Sequence, residues 1–515
     1  GLIVPAYDEL CATETAPAVT ALIDEHLVLA SLCRQNQAPR PAIEILHAAA
    51  CLAPQRIEVL AALADGYSAV GQGALADLIL RRARLLAPAS PLLMAPVPNE
   101  SAARPTLGLI ARVNMIGENG VTVESPVAAP TAGGLRVLMV NTFENRLSGG
   151  DMHQIKKTRQ YLQALGVHVD LCCTPRPDPR GYDVVHFWNT WFPAQTLAQI
   201  KAVRAWRPDV PVVLSPIFWD MSEKCWADLA VPQVFSQSAS PALLAERLRQ
   251  MAAGTLCVNG RTRSAAGEPN YRGYHAYQRG IFRLVDHLLP QSRAELENLK
   301  KVHGIEPPAT LVHNGAETAV FDQATPDWFV QTHKVKDFVL IVGLVEPRKN
   351  QLMLLHALRD TGLTVVVVGR HYDHAYYQLC RKFAAPGTLF IDHLPHEQLA
   401  SAFKAARVHA LPSWMECAAF VNVEAALCGC ALAVSDRTSE KEYFGADAYY
   451  CDPGNLDSIR AAVLSAHRNH AADAPKRARL ADLFRTRFTW RQAAESTLAG
   501  YEAALASRRS AARAA

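Results

Sequence analysis

Glu416 and Glu424 stand eight residues apart in PSWMECAAFVNVEAALCGC (412–430) and are the only charges in that stretch. Burying a carboxylate costs several kcal/mol unless it is paired or hydrogen-bonded, so two acids in an apolar run need a reason. A carboxylate accepts two hydrogen bonds from vicinal hydroxyls, as on a ribose or a hexose. A helix start beside it offers free N–H groups and a partial positive charge, a natural seat for a phosphate. Acids near a phosphate need balancing cations, and VEPRKNQ supplies Arg348 and Lys349. The plainer alternative has Glu416 capping a helix and Glu424 paired with a neighbouring base.

These residues have to be held at the ends of regular elements. Glu416 follows the apolar stretch VHALPS, read as a strand, and Glu424 falls about one turn into the helix after it. From residue 135 the pattern alternates strand and helix. LRVLMVN, VHVDLCC, YDVVHFWN and VPVVLSP read as strands, with HLLPQS and TLVHNG as shorter ones. A second set begins near 337 with DFVLIVG, LTVVVVG, TLFIDH, VHALPS and CALAVS. Alternation of this kind predicts α/β domains with parallel sheets, and two consecutive sets predict two doubly wound domains facing a cleft. Ligands in such folds bind at the carboxyl ends of the strands.

A chain of 515 residues suggests about three domains at ~150 residues each. A net charge of +4 is too small to call for nucleic acid. Twelve cysteines without a CxxC pair fit reduced thiols in the cytosol. No basic-then-apolar leader opens the sequence, so secretion is not expected. The apolar stretch 417–434 contains Asn422, Glu424 and Gly429, which suits a buried helix and strand rather than a membrane span. Residues 1–95 are rich in alanine and leucine and repeat with a period of 34, as in Pro54/Pro88, Ala42/Ala76, Ala49/Ala83 and Leu46/Leu80. Residues 96–134 read as linker around a short hairpin, TLGLIARV and GVTVESP.

From about 135 to 505 the sequence resembles the retaining GT-B glycosyltransferases numbered family 4. Their E-x7-E signature matches Glu416 and Glu424, and the resemblance implies that the first contacts the hexose of the sugar donor and the second its ribose. Lys349 takes the family's lysine position, implying contact with the diphosphate. Leu344 replaces the arginine expected after Gly343, which leaves Arg348 to supply the second cation. Ala419 stands where a glycine is common. SGGDMHQIKKT resembles the glycine loop, with Gly149 and Gly150 on the acceptor side. VHNGAETAVF matches the domain-junction segment at Asn314 and Gly315, and EKEYFGADAYYCDPGNLDSIRAAV matches the sugar-transferase tail. The catalytic histidine of many members has no clear counterpart. His186 and Asn189 after YDVVHFWN and Asp220 in IFWD are the candidates, with a satisfied core histidine an equal reading of His186. The pairs His371/His374 and His393/His396 lack a third ligand.

The resemblance implies 135–325 as the acceptor-side domain, 326–485 as the domain binding the sugar donor, and 486–515 as a crossover helix and tail. Residues 1–95 are similar to tetratricopeptide repeats. The expectation is an enzyme moving a sugar from a nucleoside-diphosphate donor to a glycan, lipid-linked glycan or protein, without cofactor or metal; no D-x-D occurs. The helices at the start would hold a protein partner or a second copy. A cytoplasmic location is expected, with peripheral membrane contact through Lys156 and Lys157. The rivals are a sugar-nucleotide epimerase of the same fold and a scaffold with a disabled transferase domain.

Overall fold

The structure, a computed structural model, describes residues 57–69, 73–86, 134–142, 150–265, 273–417 and 420–514, with Leu27 and Leu46 as single helical positions. The chain divides into two compact units, 1–120 and 121–515. In the first, helices Ile57–Ala69 and Gly73–Leu86 pack together through Leu60, Ala83 and the half-buried Ile79 and Leu80. Leu63 meets Leu46 in a second small cluster. Small residues such as Ala64, Ala76 and Ala83 are buried, which lets helix backbones approach closely. Most of the first copy of the 34-residue repeat, Pro88, and the expected hairpin after residue 96 lie outside the described residues.

The second unit holds two parallel sheets. The first combines β1 (Arg136–Val140), β2 (His168–Cys172), β3 (Val184–Trp188), β4 (Val212–Ser215) and β5 (His287–Leu288) in the order β2-β1-β3-β4-β5. The second combines β6 (Phe338–Val342), β7 (Val365–Val368), β8 (Leu389–Ile391), β9 (Ala406–Leu411), β10 (Ala431–Ser435) and β11 (Tyr449–Cys451) in the order β11-β10-β9-β6-β7-β8. Strands covered by helices on both faces must be apolar throughout, and every residue of β3, β4, β6, β7 and β10 is buried. Counted along the chain, the second sheet runs 3-2-1-4-5-6 and reverses direction between β6 and β9. That reversal opens a crevice at the strands' carboxyl ends.

TLVHNG forms no strand. Its backbone runs beside β5, with Thr310 N–H donating to Leu288 O and Val312 N–H to Pro290 O. Pro290 has no N–H to continue the ladder, which is the physical reason the pairing stops.

Two segments cross between the sheets. Helix Trp490–Ala514 returns to the first sheet, where Trp490, Ala494, Tyr501 and Ala504 are buried with Val137, Met139 and Val213. Gly315 permits this crossing, because a Cβ there would lie 2.3 Å from the Trp490 nitrogen. The second segment was not foreseen. Helices Ser222–Ser236 and Pro241–Ala252 follow β4, yet Trp226, Val231, Phe235, Leu244 and Leu248 share one core with Leu352, Leu355, Tyr376, Phe383 and Trp414 of the second sheet. The chain turns into and out of this hairpin through left-handed backbone at Ile217 (φ 45°) and Asn259 (φ 49°). A β-branched residue there is strained, so the surrounding packing holds it.

Among the described residues no helix is long and apolar enough to cross a membrane. The stretch after residue 417 is helix Phe420–Leu427 followed by β10.

Trp226 stands edge-on to Trp414 at 6.2 Å between ring centroids and donates its indole N–H to Arg261 O at 3.1 Å. Trp226→Ala is expected to cost about 3–5 kcal/mol in denaturant titrations, the usual loss for a buried tryptophan. A loss under about 1 kcal/mol would show that the hairpin lies on the second sheet without contributing to its core.

Candidate functional site

The crevice between β6 and β9 gathers the cations and the first acid. β6 is followed by Gly343, whose φ of 139° suits glycine; a Cβ there would sit 3.2 Å from Lys349 Cε. Its carbonyl oxygen crosses so close to Gly369 that a Cβ on the latter would lie 1.8 Å away. The chain then makes a 3₁₀ turn, Pro347–Lys349. Asn350 (φ 64°) ties this turn to the end of β9, donating its side-chain amide to Pro412 O at 3.0 Å and Pro453 O at 2.9 Å. Trp414 N–H donates to Arg348 O at 2.9 Å, a second tie.

Lys349 Nζ lies 2.6 Å from Glu416 Oε1, and Arg348 Nη1 lies 3.1 Å from the same oxygen. Arg348 also donates to Met415 O at 3.2 Å and reaches Glu346 Oε1 at 2.7 Å. Lys349 is 8% and Glu416 7% exposed, so the pair is screened from water. Burial opposes ionisation of Glu416, but Lys349 and Arg348 outweigh it and hold its pKa below the ordinary value. Burial lowers the pKa of Lys349 despite Glu416. For Arg348, Glu416 and Glu346 overcome burial and raise it. Leu344 is 41% exposed.

Glu424 sits on helix Phe420–Leu427, its Oε1 3.4 Å from His396 Nε2. That hydrogen bond raises the pKa of His396. His153, on helix Gly150–Ala164 beside the first sheet, is held below its ordinary pKa by burial and by Lys157, with Glu424 opposing. Its ring meets Phe420 edge-on at 5.4 Å and Trp490 at 5.7 Å. Gly150 begins that helix, and a Cβ on it would stand 3.7 Å from the Phe420 ring. The start of helix Gly150–Ala164 therefore faces the helix that carries Glu424.

The remaining expected residues are placed as follows. Asn314 is buried where the two sheets meet; its N–H donates to Tyr443 OH and its side-chain amide to Gln291 Oε1, both at 3.2 Å. Asn189 follows β3 in left-handed backbone (φ 73°) and donates to Asp151 Oδ2 at 3.3 Å, on the same glycine-loop helix. Asp220 Oδ1 accepts from Ser222 N–H at 3.0 Å, tying it to the start of helix Ser222–Ser236. His186 does not reach the crevice. It has no exposed surface, and its nitrogens lie 2.7 Å from Tyr501 OH and 2.9 Å from Ser215 Oγ. It stacks on Trp188, and burial lowers its pKa to about 3, which is the geometry of a core histidine. Ala419 and Gly149 lie outside the described residues.

Sequence reasoning passed over His153 and Glu346, and weighed His396 only as half of the His393/His396 pair. His153 lies inside the quoted glycine loop, and Glu346 adjoins the basic pair.

A folded-state pKa below the unfolded one means that Glu416 stabilises fully above the ordinary glutamate range, about 4.3. That contribution is lost as pH falls through the lower folded value. At pH 7, Glu416→Gln is expected to cost about 3–5 kcal/mol, since two buried cations lose a shared partner and Arg348 alone keeps another. The variant should also flatten the acid limb of stability against pH. Urea titrations across pH check both; a loss below about 1 kcal/mol would mean the cations do not depend on Glu416.

Residues 325–482 match the family described as Glycosyl transferases group 1. The sequence is 29% identical over 136 residues to O-antigen chain mannosyltransferase B of Escherichia coli, covering 25% of this chain and 36% of that protein. It is 28% identical over 170 residues to D-inositol 3-phosphate glycosyltransferase of Kribbella flavida, covering 29% of this chain and 40% of that one. The chain thus spans well under half the length of these curated relatives. Sucrose-phosphate synthase from Thermosynechococcus elongatus superposes with a TM-score of 0.54 at 14% identity, covering 72% of this chain and all (100%) of that one. Anabaena HepE in complex with UDP and glucose gives 0.50 at 14% identity, with coverage of 72% and 100%. The two parallel sheets are those of a GT-B fold, and its second sheet carries a region of the Glycosyl transferases group 1 type.

Proposed function

We propose that the protein is a glycosyltransferase that moves a sugar from a nucleoside-diphosphate donor to a glycan, lipid-linked glycan or protein acceptor. The observation that carries this reading is the pair of buried cations, Lys349 and Arg348, converging on one oxygen of Glu416 at the reversal point of the second sheet. Glu416 compensates both charges. A diphosphate entering the crevice takes over Lys349 and Arg348, which frees Glu416 to accept hydrogen bonds from the hydroxyls of the sugar donor. Arg348 fills the part of the cation missing at Leu344. Glu424 grips the ribose, and the N-terminus of helix Phe420–Leu427 adds its partial positive charge to the phosphate side. Gly343 lets the backbone approach, and Asn314 ties the junction.

The reaction proceeds with retention, as in family 4. The leaving diphosphate accepts the proton of the acceptor hydroxyl on the same face, so no side chain serves as base and His186 has no part. The cations and the helix dipole stabilise the departing charge, a task that needs no metal. Gly150, Asn189 and Asp220 line the acceptor side, with Phe420 and His153 closing the site against water. The first-unit helices belong to a tetratricopeptide-like array that holds the acceptor, a partner or a second copy. The protein works at the cytoplasmic side, with peripheral membrane contact through Lys156 and Lys157.

Incubation with a panel of nucleotide sugars should release nucleoside diphosphate, and Lys349→Ala should abolish that release. The same variant is expected to weaken diphosphate binding by about 1.5–3 kcal/mol, the worth of a charge-assisted hydrogen bond. Unchanged nucleotide affinity would remove Lys349 from the site, and an epimerised sugar without release would favour the epimerase instead. Removing residues 1–90 should leave hydrolysis of the sugar donor intact while changing acceptor use.

A further inference from the structure

A third carboxyl borders the Lys349–Glu416 pair without sharing its cations. Glu440 heads the short helix Glu440–Phe444 after β10, is 2% exposed, and lies within electrostatic reach of both Glu416 and Lys349. Its Oε2 accepts from the Thr438 hydroxyl. Its Oε1 is buried and has no hydrogen-bond partner among the described residues. Thr438 occupies left-handed backbone (φ 63°), unusual for a β-branched residue, so the loop is strained where it supports Glu440.

The charges around this loop fix its protonation. Arg348 and Lys349 are taken by Glu346 and Glu416, and no cation pairs with Glu440 among the described residues. The other titratable groups facing it are Cys417, Tyr443 and Tyr450, none of them cationic. A third carboxylate buried here would face Glu416 uncompensated, so the neutral acid is favoured. With Oε2 accepting from Thr438, the proton belongs on Oε1, which has no partner among the described residues.

We infer that Glu440 is a positioning residue of the sugar-donor site, a neutral carboxylic acid whose Oε1–H is accepted by an oxygen of the bound nucleotide sugar. This rests on the proposed function. Burial, with Glu416 adding to it and Thr438 opposing, pushes the Glu440 pKa up to about 8. The acid is neutral below that value, so its contribution is present at pH 7 and lost as pH rises through about 8.

Three readouts test it. Glu440→Ala should lower kcat/KM by about tenfold or more, the scale of one buried hydrogen bond. Glu440→Gln, which keeps an N–H donor but cannot ionise, should recover most of that loss and remove the fall in kcat/KM near pH 8. The infrared difference between wild type and Glu440→Gln at pH 7 should show the carbonyl band of a buried protonated carboxyl, shifted by the nucleotide sugar. Glutamine as damaging as alanine, an alkaline limb kept in Glu440→Gln, or a missing band would overturn the inference. If no nucleotide sugar is turned over, the proposed function fails by itself, while the band and its shift still decide the state of Glu440.

Discussion

Two cations buried in a crevice cannot stay charged without compensation, and the site depends on how this chain meets that constraint. Lys349 and Arg348 share Glu416 Oε1, and Arg348 has a second hold on Glu346. The arrangement keeps both groups charged and dehydrated before a ligand arrives. An anionic ligand then exchanges one oxygen partner for another and need not strip water from exposed side chains. Preorganised cations of this kind are worth more in a screened crevice than in water.

The placement follows from topology. Strand order reverses between β6 and β9, so the loops leaving their carboxyl ends diverge and leave a gap. Gly343 and Gly369 allow the first loop to fold back tightly, and Asn350 ties it to the second. Behind this loop lies the helical hairpin 222–252, contributed by the first half of the unit but packed in the core of the second sheet. Arg263 extends that union, pairing with Glu223 at 2.9 Å and with Asp452 at 3.1 Å. Arg437, after β10, joins the same two acids, at 3.2 Å in each case. The two sheets are therefore joined by a crossing helix at one place and by a buried hairpin with an ion-pair network at another.

The sheets were legible because buried parallel strands leave unbroken apolar runs, and VVVV or FVLIV admits few other readings. Glu416, Glu424 and Lys349 stood out for the converse reason, as charges at the edges of such runs. What sequence concealed was long-range. Nothing in helices 222–252 says which sheet they cover, since an amphipathic stripe fits either. His186 lies in a strand whose residues are all buried, and only the contacts with Tyr501, 315 positions away, and Ser215 show that it is satisfied in the core. His153 and His396 approach Glu424 from separate elements. Glu440 was visible as part of a family-like tail, but its place beside Glu416 required the register of β9 and β10. TLVHNG has the composition of a strand and is stopped by a proline in the neighbour with which it would pair.

The most direct measurement is a crystal structure with a nucleoside diphosphate bound. The account requires the pyrophosphate oxygens to take Lys349 Nζ and Arg348, the 2.6 Å contact between Lys349 and Glu416 to lengthen, and the ribose hydroxyls to reach Glu424. A nucleotide seated elsewhere, with the Lys349–Glu416 pair intact and Glu424 untouched, would contradict it.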